Sequence, residues 1–235
     1  MKRAVILAGG LGTRLRPYTM VIPKPLVPIG NLPILEIVIR QLSAQGFERV
    51  TLAVNHQADL LRAYFGDGGR WNIRIDSSLE PAPLGTMGPL KLIGDLPQDF
   101  LVLNGDILSD LNYAQFLDQH VATKQFFTIS AAAREQTIDY GVLQLGDDNN
   151  LGGFEEKPKI PYRVSMGVYA LNRSVLDWIP NNEPFGFDQL VLKLLEARRA
   201  IKVAEHRGYW LDIGRPDDYQ KAIDDWPRLA PTMGL

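Results

Sequence analysis

The chain has 235 residues, 46% hydrophobic and 22% charged, with a formal net charge of -2. That balance suits a soluble globular protein, long enough to bury one good core. Its scattered lysines and arginines exclude the concentrated basic face that nucleic-acid polymers and membrane surfaces attract. With no cysteine there are no disulfides or thiolate sites, so a metal would rest on oxygen or on His56, His120 and His206. Those histidines have no i, i+4 partner, which argues against zinc. No apolar stretch approaches the roughly 20 residues of a membrane helix, and the N-terminal apolar run is too short for a signal peptide, so a cytoplasmic protein is expected.

The first predicted element is an apolar strand, Arg3–Leu7, which stops abruptly at Ala8-Gly9-Gly10-Leu11-Gly12-Thr13-Arg14-Leu15-Arg16-Pro17. Glycines there let main-chain N–H groups approach anionic oxygens with no Cβ in the way, and Arg14 adds a permanently charged donor fork. The loop reads as a nucleotide-phosphate site; the alternative is a tight strand-to-helix turn that needs glycine for conformation alone. The spacing matches neither G-x-x-x-x-G-K-[ST] nor G-x-G-x-x-G, which argues against P-loop ATPases and dinucleotide dehydrogenases.

Helical patterns follow at 34–45, 60–65 and 113–121, alternating with strand candidates at 50–54, 101–103 and 128–132. Such alternation predicts an α/β fold with a mainly parallel, Rossmann-like sheet and flanking helices, whose ligands bind beyond the carboxyl ends of the strands. After about residue 134 the texture changes to shorter strand candidates at Gly141–Leu145, 164–171 and 201–204, separated by polar turns. This predicts a smaller α+β lobe packed on the same sheet, closed by helices near 188–199 and 216–226. No linker or internal repeat separates the halves, so a single domain over 1–235 is expected.

Two aspartates stand at strand ends. Leu101-Val102-Leu103-Asn104-Gly105-Asp106 points a carboxylate out of a sheet edge, and Tyr209-Trp210-Leu211-Asp212-Ile213-Gly214-Arg215-Pro216 repeats the pattern before a proline suited to open a helix. Each taken singly is also a helix or turn cap. Together they form an oxygen-only ligand set that suits Mg²⁺ bridging protein and phosphates. Lys24, between Pro23 and Pro25, and Lys157, before Pro158, sit where proline restricts the backbone and helps aim a long side chain.

These motifs, in order from L-A-G-G-L-G-T-R-L-R-P-Y-T through P-K-P-L, N-G-D, Y-G-V and E-K-P to Y-W-L-D-I-G-R-P, resemble the sugar-1-phosphate nucleotidyltransferase family over nearly the whole chain. The resemblance implies attack of a sugar-1-phosphate oxygen on the α-phosphorus of a nucleoside triphosphate, giving a nucleotide sugar and pyrophosphate without an enzyme nucleophile. Catalysis would then be positioning plus charge neutralisation. It also implies that Leu7, Ala8, Gly9, Gly10, Gly12 and Thr13 hold the nucleotide, that Arg14 and Lys24 stabilise charge on the phosphates, and that Asp106 with Asp212 holds Mg²⁺. Lys157 would grip the sugar phosphate, while Glu156, Gly141 and Ser165 would face the sugar. Residues up to about 134 would form the nucleotide-binding half and the rest the sugar-phosphate half. Longer members append a further domain after the core, which is not expected here. A homo-oligomer is compatible with the family.

Leu79-Glu80-Pro81-Ala82-Pro83-Leu84-Gly85-Thr86 matches the family's base-reading segment, with Glu80, Gly85 and Thr86 at the base. Thymidylyl and uridylyl members carry glutamine in place of Glu80. An ionised carboxylate only accepts, which suits the adjacent N1–H and N2–H₂ donors of guanine. The expectation is therefore GTP with a mannose- or heptose-type sugar; the alternative is UTP or dTTP with a glucose- or amino-sugar 1-phosphate. Ser165-Met166-Gly167 departs from the usual Asn-Ala-Gly, which leaves the sugar open. Met87 and Pro89 either reshape the pocket or pack a helix start. A non-catalytic nucleotide-sugar sensor is the reading from another class, separable by Mg²⁺-dependent pyrophosphate release.

Overall fold

The computed structural model describes residues 1–55 and 58–234. His56 lies outside the described residues. The chain opens with β1 (Arg3–Leu7), whose apolar run is buried along its length, as a strand sandwiched between two helical layers must be. A minor hairpin of β2 (Pro28–Ile29) and β3 (Leu32–Pro33) leads into α1 (Ile34–Ala44), followed by β4 (Arg49–Val54), α2 (Ala58–Phe65) and β5 (Arg74–Leu79). Then come β6 (Asp99–Asn104), the short β7 (Ile107–Ser109) and α3 (Tyr113–Ala122), which starts where the Asn112 side chain accepts from the Gln115 N–H at 2.8 Å. The second half contains β8 (Phe127–Thr137), β9 (Gly141–Leu145), β10 (Leu151–Glu156), β11 (Lys159–Asn172), α4 (Phe187–Glu196), β12 (Lys202–His206), β13 (Trp210–Asp212) and α5 (Pro216–Thr232).

Seven of these strands form one sheet in the order β12-β8-β11-β6-β1-β4-β5. Its pairings are parallel except for β11, which runs antiparallel to both β6 and β8. The expected mainly parallel α/β sheet is therefore present, and the second half of the chain extends it across β11, β8 and β12. β1 lies between β6 and β4, so their three carboxyl ends open in one direction at the centre of the sheet. That is the crevice in which parallel sheets bind ligands.

Apolar packing covers both faces. On one, Leu35, Ile39 and Leu42 of α1, Leu61 and Phe65 of α2 and Phe116 of α3 pack on Ile6, Leu52 and Leu103. On the other, Met87, Leu90, Val175, Leu190 and Leu194 cover Val5, Val102 and Tyr169. Met87 is thus core, whereas Pro89 lines the cleft described below. A third cluster joins Leu15, Ile29, Ile34 and Leu108 to Leu211, Tyr219 and Trp226, clamping α5 over the short β7–β13 ladder. This last cluster brings residues 211–213 back to the N-terminal half.

Several elements run past their expected bounds. β8 and β11 continue by several residues because they pair with each other beyond the body of the sheet, from Lys159 opposite Thr137 to Ser165 opposite Ala131. β5 has no clear apolar alternation, since it is the sheet's edge, and β10 is recognisable mainly from its pairing with β9. α5 extends to Thr232 through Pro227 and Pro231. Among the described residues no helix is long and apolar enough to cross a membrane.

Candidate functional site

A cleft of about 770 Å³ opens at the carboxyl ends of β1, β4 and β6. Leu7, Ala8, Gly9 and Gly10 from the first loop line it, with Leu11, Lys24 and Pro25 following. Asn55 enters after β4, Leu79 to Pro83 with Gly85 and Thr86 after β5, and Asn104, Gly105 and Asp106 after β6. The first part of the expected phosphate loop, up to Leu11, therefore shares one cavity with the base-reading segment and the N-G-D turn.

Glu80 is held at the wall of that cleft by backbone and side chain together. Its N–H donates to Val54 O at 2.9 Å, and its Oε2 accepts from the Leu84 N–H at 3.0 Å. Oε1 lies 2.9 Å from where a β-carbon on Gly9 would stand, so a larger residue there would push the Glu80 carboxyl aside. Burial raises the Glu80 carboxyl above the usual glutamate range, with the Leu84 N–H opposing the shift. Gly85 has φ of +75° and abuts the Phe185 backbone, 2.8 Å from its prospective Cβ to the Phe185 oxygen, which requires glycine twice over. Thr86 Oγ1 accepts from the Phe187 N–H at 2.7 Å, tying this segment to the start of α4.

The carboxylate pair forms through β7 and β13. Asp212 pairs in register with Ile107, next to Asp106, and the Ile213 N–H donates to Asp106 O at 3.0 Å. Lys24 Nζ forms an ion pair with Asp106 Oδ2. Lys24 itself is buried, delivered by the short helical turn Lys24–Leu26 that follows Pro23. Burial raises the Asp212 carboxyl above the usual aspartate range, and Asp106 raises it further, while Lys24 and Arg14 partly offset both. Arg14 Nη2 sits 3.5 Å from the prospective Cβ of Gly214, on the same side as Asp212. Two adjacent carboxylates, with Asp212 raised in proton affinity by burial and by its neighbour, are a donor set that a divalent cation would relieve. Among the described residues no cluster of three or more His, Cys, Asp or Glu side chains assembles, so such a cation would keep positions for phosphate oxygens and water, as Mg²⁺ does.

Gly12, Thr13 and Arg14 do not line the cleft. Thr13–Leu15 is a 3₁₀ turn whose Leu15 is buried, and Gly12 O accepts from Thr19 Oγ1 at 2.7 Å. Gly141, Glu156 and Lys157 come together at one end of the β9–β10 ladder, where Glu156 pairs with Gly141 and the Lys157 N–H donates to Tyr140 O at 3.3 Å, again outside the cleft lining. Ser165 Oγ contacts the Tyr169 hydroxyl at 3.2 Å and accepts from the Gly167 N–H at 3.3 Å.

His120 is buried against Thr128 Oγ1 at 2.8 Å, with Nε2 3.4 Å from Asp99, and burial holds it below the usual histidine range despite Asp99. His206 lies 2.8 Å from Asp110. Residues not singled out from sequence include Asn55, whose Nδ2 donates to Gly9 O, and Asn104. Asn55 follows the last residue of β4 and Asn104 is the last residue of β6, both apolar parallel strands, a signal that could have found them.

Fold and cleft together define a nucleotide-diphospho-sugar transferase fold with its ligand crevice at the sheet's switch point. The nucleotidyl transferase family profile matches residues 3–228, and the chain belongs to that family. It is 36% identical over 98% of its length to "Probable mannose-1-phosphate guanylyltransferase 1" of Oryza sativa subsp. japonica, covering 67% of that protein. It is 35% identical over 92% of its length to "Mannose-1-phosphate guanyltransferase" of Yarrowia lipolytica, covering 62%. The chain thus spans about two thirds of the length of these curated relatives. Among solved structures, HddC from Yersinia pseudotuberculosis aligns with a TM-score of 0.75 at 30% identity, covering 96% of this chain and all of that one, and it has also been solved complexed with GMP-PN.

Proposed function

We propose that the chain transfers a guanylyl group from GTP to a mannose- or heptose-type sugar 1-phosphate, releasing pyrophosphate. The observation that carries the reading is the convergence of Lys24, Asp106 and Asp212 from three distant segments beside a cleft that also holds Glu80. The names of the rice and Yarrowia relatives and the GMP-PN complex of HddC agree with it. In this reading the Glu80 carboxylate accepts from the guanine N1–H and N2–H₂. The main chain of Leu7 to Gly10, with Gly12 and Thr13 alongside, receives the triphosphate. Gly85 and Thr86 flank the base.

A sugar-phosphate oxygen forms a bond to the α-phosphorus, and the bond from that phosphorus to the α,β-bridging oxygen breaks, pyrophosphate leaving with the electron pair. Lys24 and Arg14 offset charge that builds on the α-phosphate and the leaving group. Asp106 and Asp212 would hold Mg²⁺, which supplies charge neutralisation when bound. Lys157 would grip the sugar phosphate, and Glu156, Gly141 and Ser165 would meet the sugar. The 235 residues act in this reading as a single, cytoplasmic nucleotidyltransferase domain.

The test is pyrophosphate release with Mg²⁺ across four nucleoside triphosphates and a panel of sugar 1-phosphates. Release requiring GTP with mannose or heptose 1-phosphate is expected, with loss of guanine preference in Glu80→Gln. Strict use of UTP or dTTP by the unaltered protein would overturn the base assignment. Triphosphate binding without turnover on any sugar would favour a sensor.

A further inference from the structure

The loop after β1 satisfies its backbone unequally. Leu7 O accepts from the Gly105 N–H at 2.9 Å, Gly9 O from Asn55 Nδ2, and Gly12 O from the Leu15 N–H at 3.0 Å and Thr19 Oγ1 at 2.7 Å. The N–H groups of Gly9, Gly10, Leu11 and Gly12, by contrast, donate to no group among the described residues. A phosphate oxygen is drawn to such donors and repelled by a bare carbonyl, so the way each peptide faces decides whether the loop can bind one. The peptide between Gly9 and Gly10 is the softest, because neither flanking residue has a Cβ to bar rotation of its plane. It is trans, so the Gly9 C=O and the Gly10 N–H point in opposite directions. Whatever holds Gly9 O therefore aims the Gly10 N–H.

We infer that Asn55 is a positioning residue for the triphosphate: its amide, delivered just past the end of β4, pins Gly9 O and so keeps the Gly10 N–H turned toward the phosphates. Gly9 lies between two side chains, with Asn55 Nδ2 3.1 Å and Glu80 Oε1 2.9 Å from where its β-carbon would stand. Gly10 has nothing within 4 Å of its own prospective β-carbon, which leaves its backbone open to a ligand in the cleft. Only a donor can act as the pin. An aspartate of the same size would set a second acceptor against Gly9 O, and a leucine would leave that carbonyl unpaired and the peptide free to turn. This role rests on the function proposed above, in that the triphosphate lies on this loop, and is independent of which base or sugar is used.

The first readout uses a phosphate chain without a base. Binding of inorganic tripolyphosphate with Mg²⁺, measured by calorimetry without turnover, should weaken about tenfold or more in Asn55→Leu and at least as much in Asn55→Asp. The second readout is kinetic. KM for each of the four nucleoside triphosphates should rise by a common factor in both variants, leaving the order of base preference unchanged, while KM for the sugar 1-phosphate stays within about twofold. Should Asn55→Leu fail to fold, Asn55→Asp, which keeps the size of the side chain, carries the same expectations. A lower melting temperature with undiminished affinity for tripolyphosphate and unchanged KM values would make Asn55 merely structural and overturn its positioning role. A shift in base preference would make it a base reader, which overturns the role as well. Strict use of a triphosphate other than GTP by the unaltered protein, with the same loss of tripolyphosphate binding in the variants, would overturn the guanine assignment alone and uphold the role of Asn55.

Discussion

At the scale of single residues, Glu80 is where chemistry and environment meet. It is a carboxylate in a largely apolar cleft, partly compensated by one backbone N–H, so its proton affinity is raised by burial. If it reads guanine as an acceptor, protonation removes the interaction. KM for GTP should therefore rise as pH falls, beginning above the usual carboxylate range, while Glu80→Gln should show no such rise. Steady-state kinetics across mildly acidic pH checks this, and identical profiles for both proteins would count against base reading by Glu80. Asp212 belongs to the same class of residue, a carboxylate whose burial and neighbour Asp106 disfavour its charge. Asp212→Asn should lower turnover by at least about 100-fold yet raise rather than lower Tm, because an unfavourable buried charge is removed. A fall in both would mark Asp212 as structural.

At the scale of elements, α1 is buried over most of its surface between the sheet and the third cluster, and its one acidic residue, Glu36, is fully buried. Glu36 accepts from Tyr64 Oη at 2.6 Å, Arg40 at 2.6 Å and Trp71 Nε1 at 3.2 Å, joining α1 to α2 and to the turn before β5. Burial opposes its charge, but these hydrogen bonds and Arg40 outweigh burial and hold the carboxyl below the usual range. Glu36→Ala strands those donors and should cost about 3 kcal/mol in chemical denaturation. Since the folded-state pKa is depressed, the stabilisation is complete above the usual glutamate value and is lost as pH falls through the folded one. The gap in stability between the unaltered protein and Glu36→Gln should accordingly narrow on acidification.

A comparable network locks the amino ends of the strands. Buried Arg3 of β1 donates to Thr51 of β4 at 2.7 Å and to Asp95 at 2.9 Å, and Arg49 donates to Asp76 of β5. Hydrogen bonds from Arg3 and then Arg49 pull Asp95 down to about 2. Arg3→Met keeps the bulk without the fork, and it should destabilise by about 3 kcal/mol while leaving substrate KM values unchanged, because the cleft lies at the opposite ends of the same strands. An altered KM for either substrate would show that the two ends of the sheet are coupled.

At the scale of the whole molecule, the candidate site is a product of topology. Asp106 and Asp212 are separated by more than a hundred residues, yet the short β7–β13 ladder seats them side by side, and α5 clamps that ladder onto α1 and the β2–β3 hairpin. Removing one buried anchor of the clamp without touching the carboxylates should loosen the pair. Trp226→Ala is expected to cost about 3–5 kcal/mol and, where the fold survives, to lower turnover with little change in KM for the triphosphate. Undiminished turnover would mean that α5 has no part in holding Asp212.

Much of this was legible in the residues alone. Continuous apolar runs in β1, β4 and β6 announced buried parallel strands, because a strand covered on both faces has no polar side to reveal. Glycine and aspartate at the strand ends marked where the crevice would open, since ligands to such sheets enter beyond the carboxyl ends. Edge strand β5 and the exposed ribbon strand β10 left weaker traces, because their neighbours impose no strict alternation. Long-range pairing decided the rest: that Lys24 meets Asp106, that Asp212 stands beside it, that Gly9 faces Glu80, and that Glu156 and Lys157 ride on a ribbon outside the cleft lining. Local sequence sets periodicity and turn chemistry over a few residues, whereas the meeting of distant side chains is set by strand order and by the packing that closes the chain on itself.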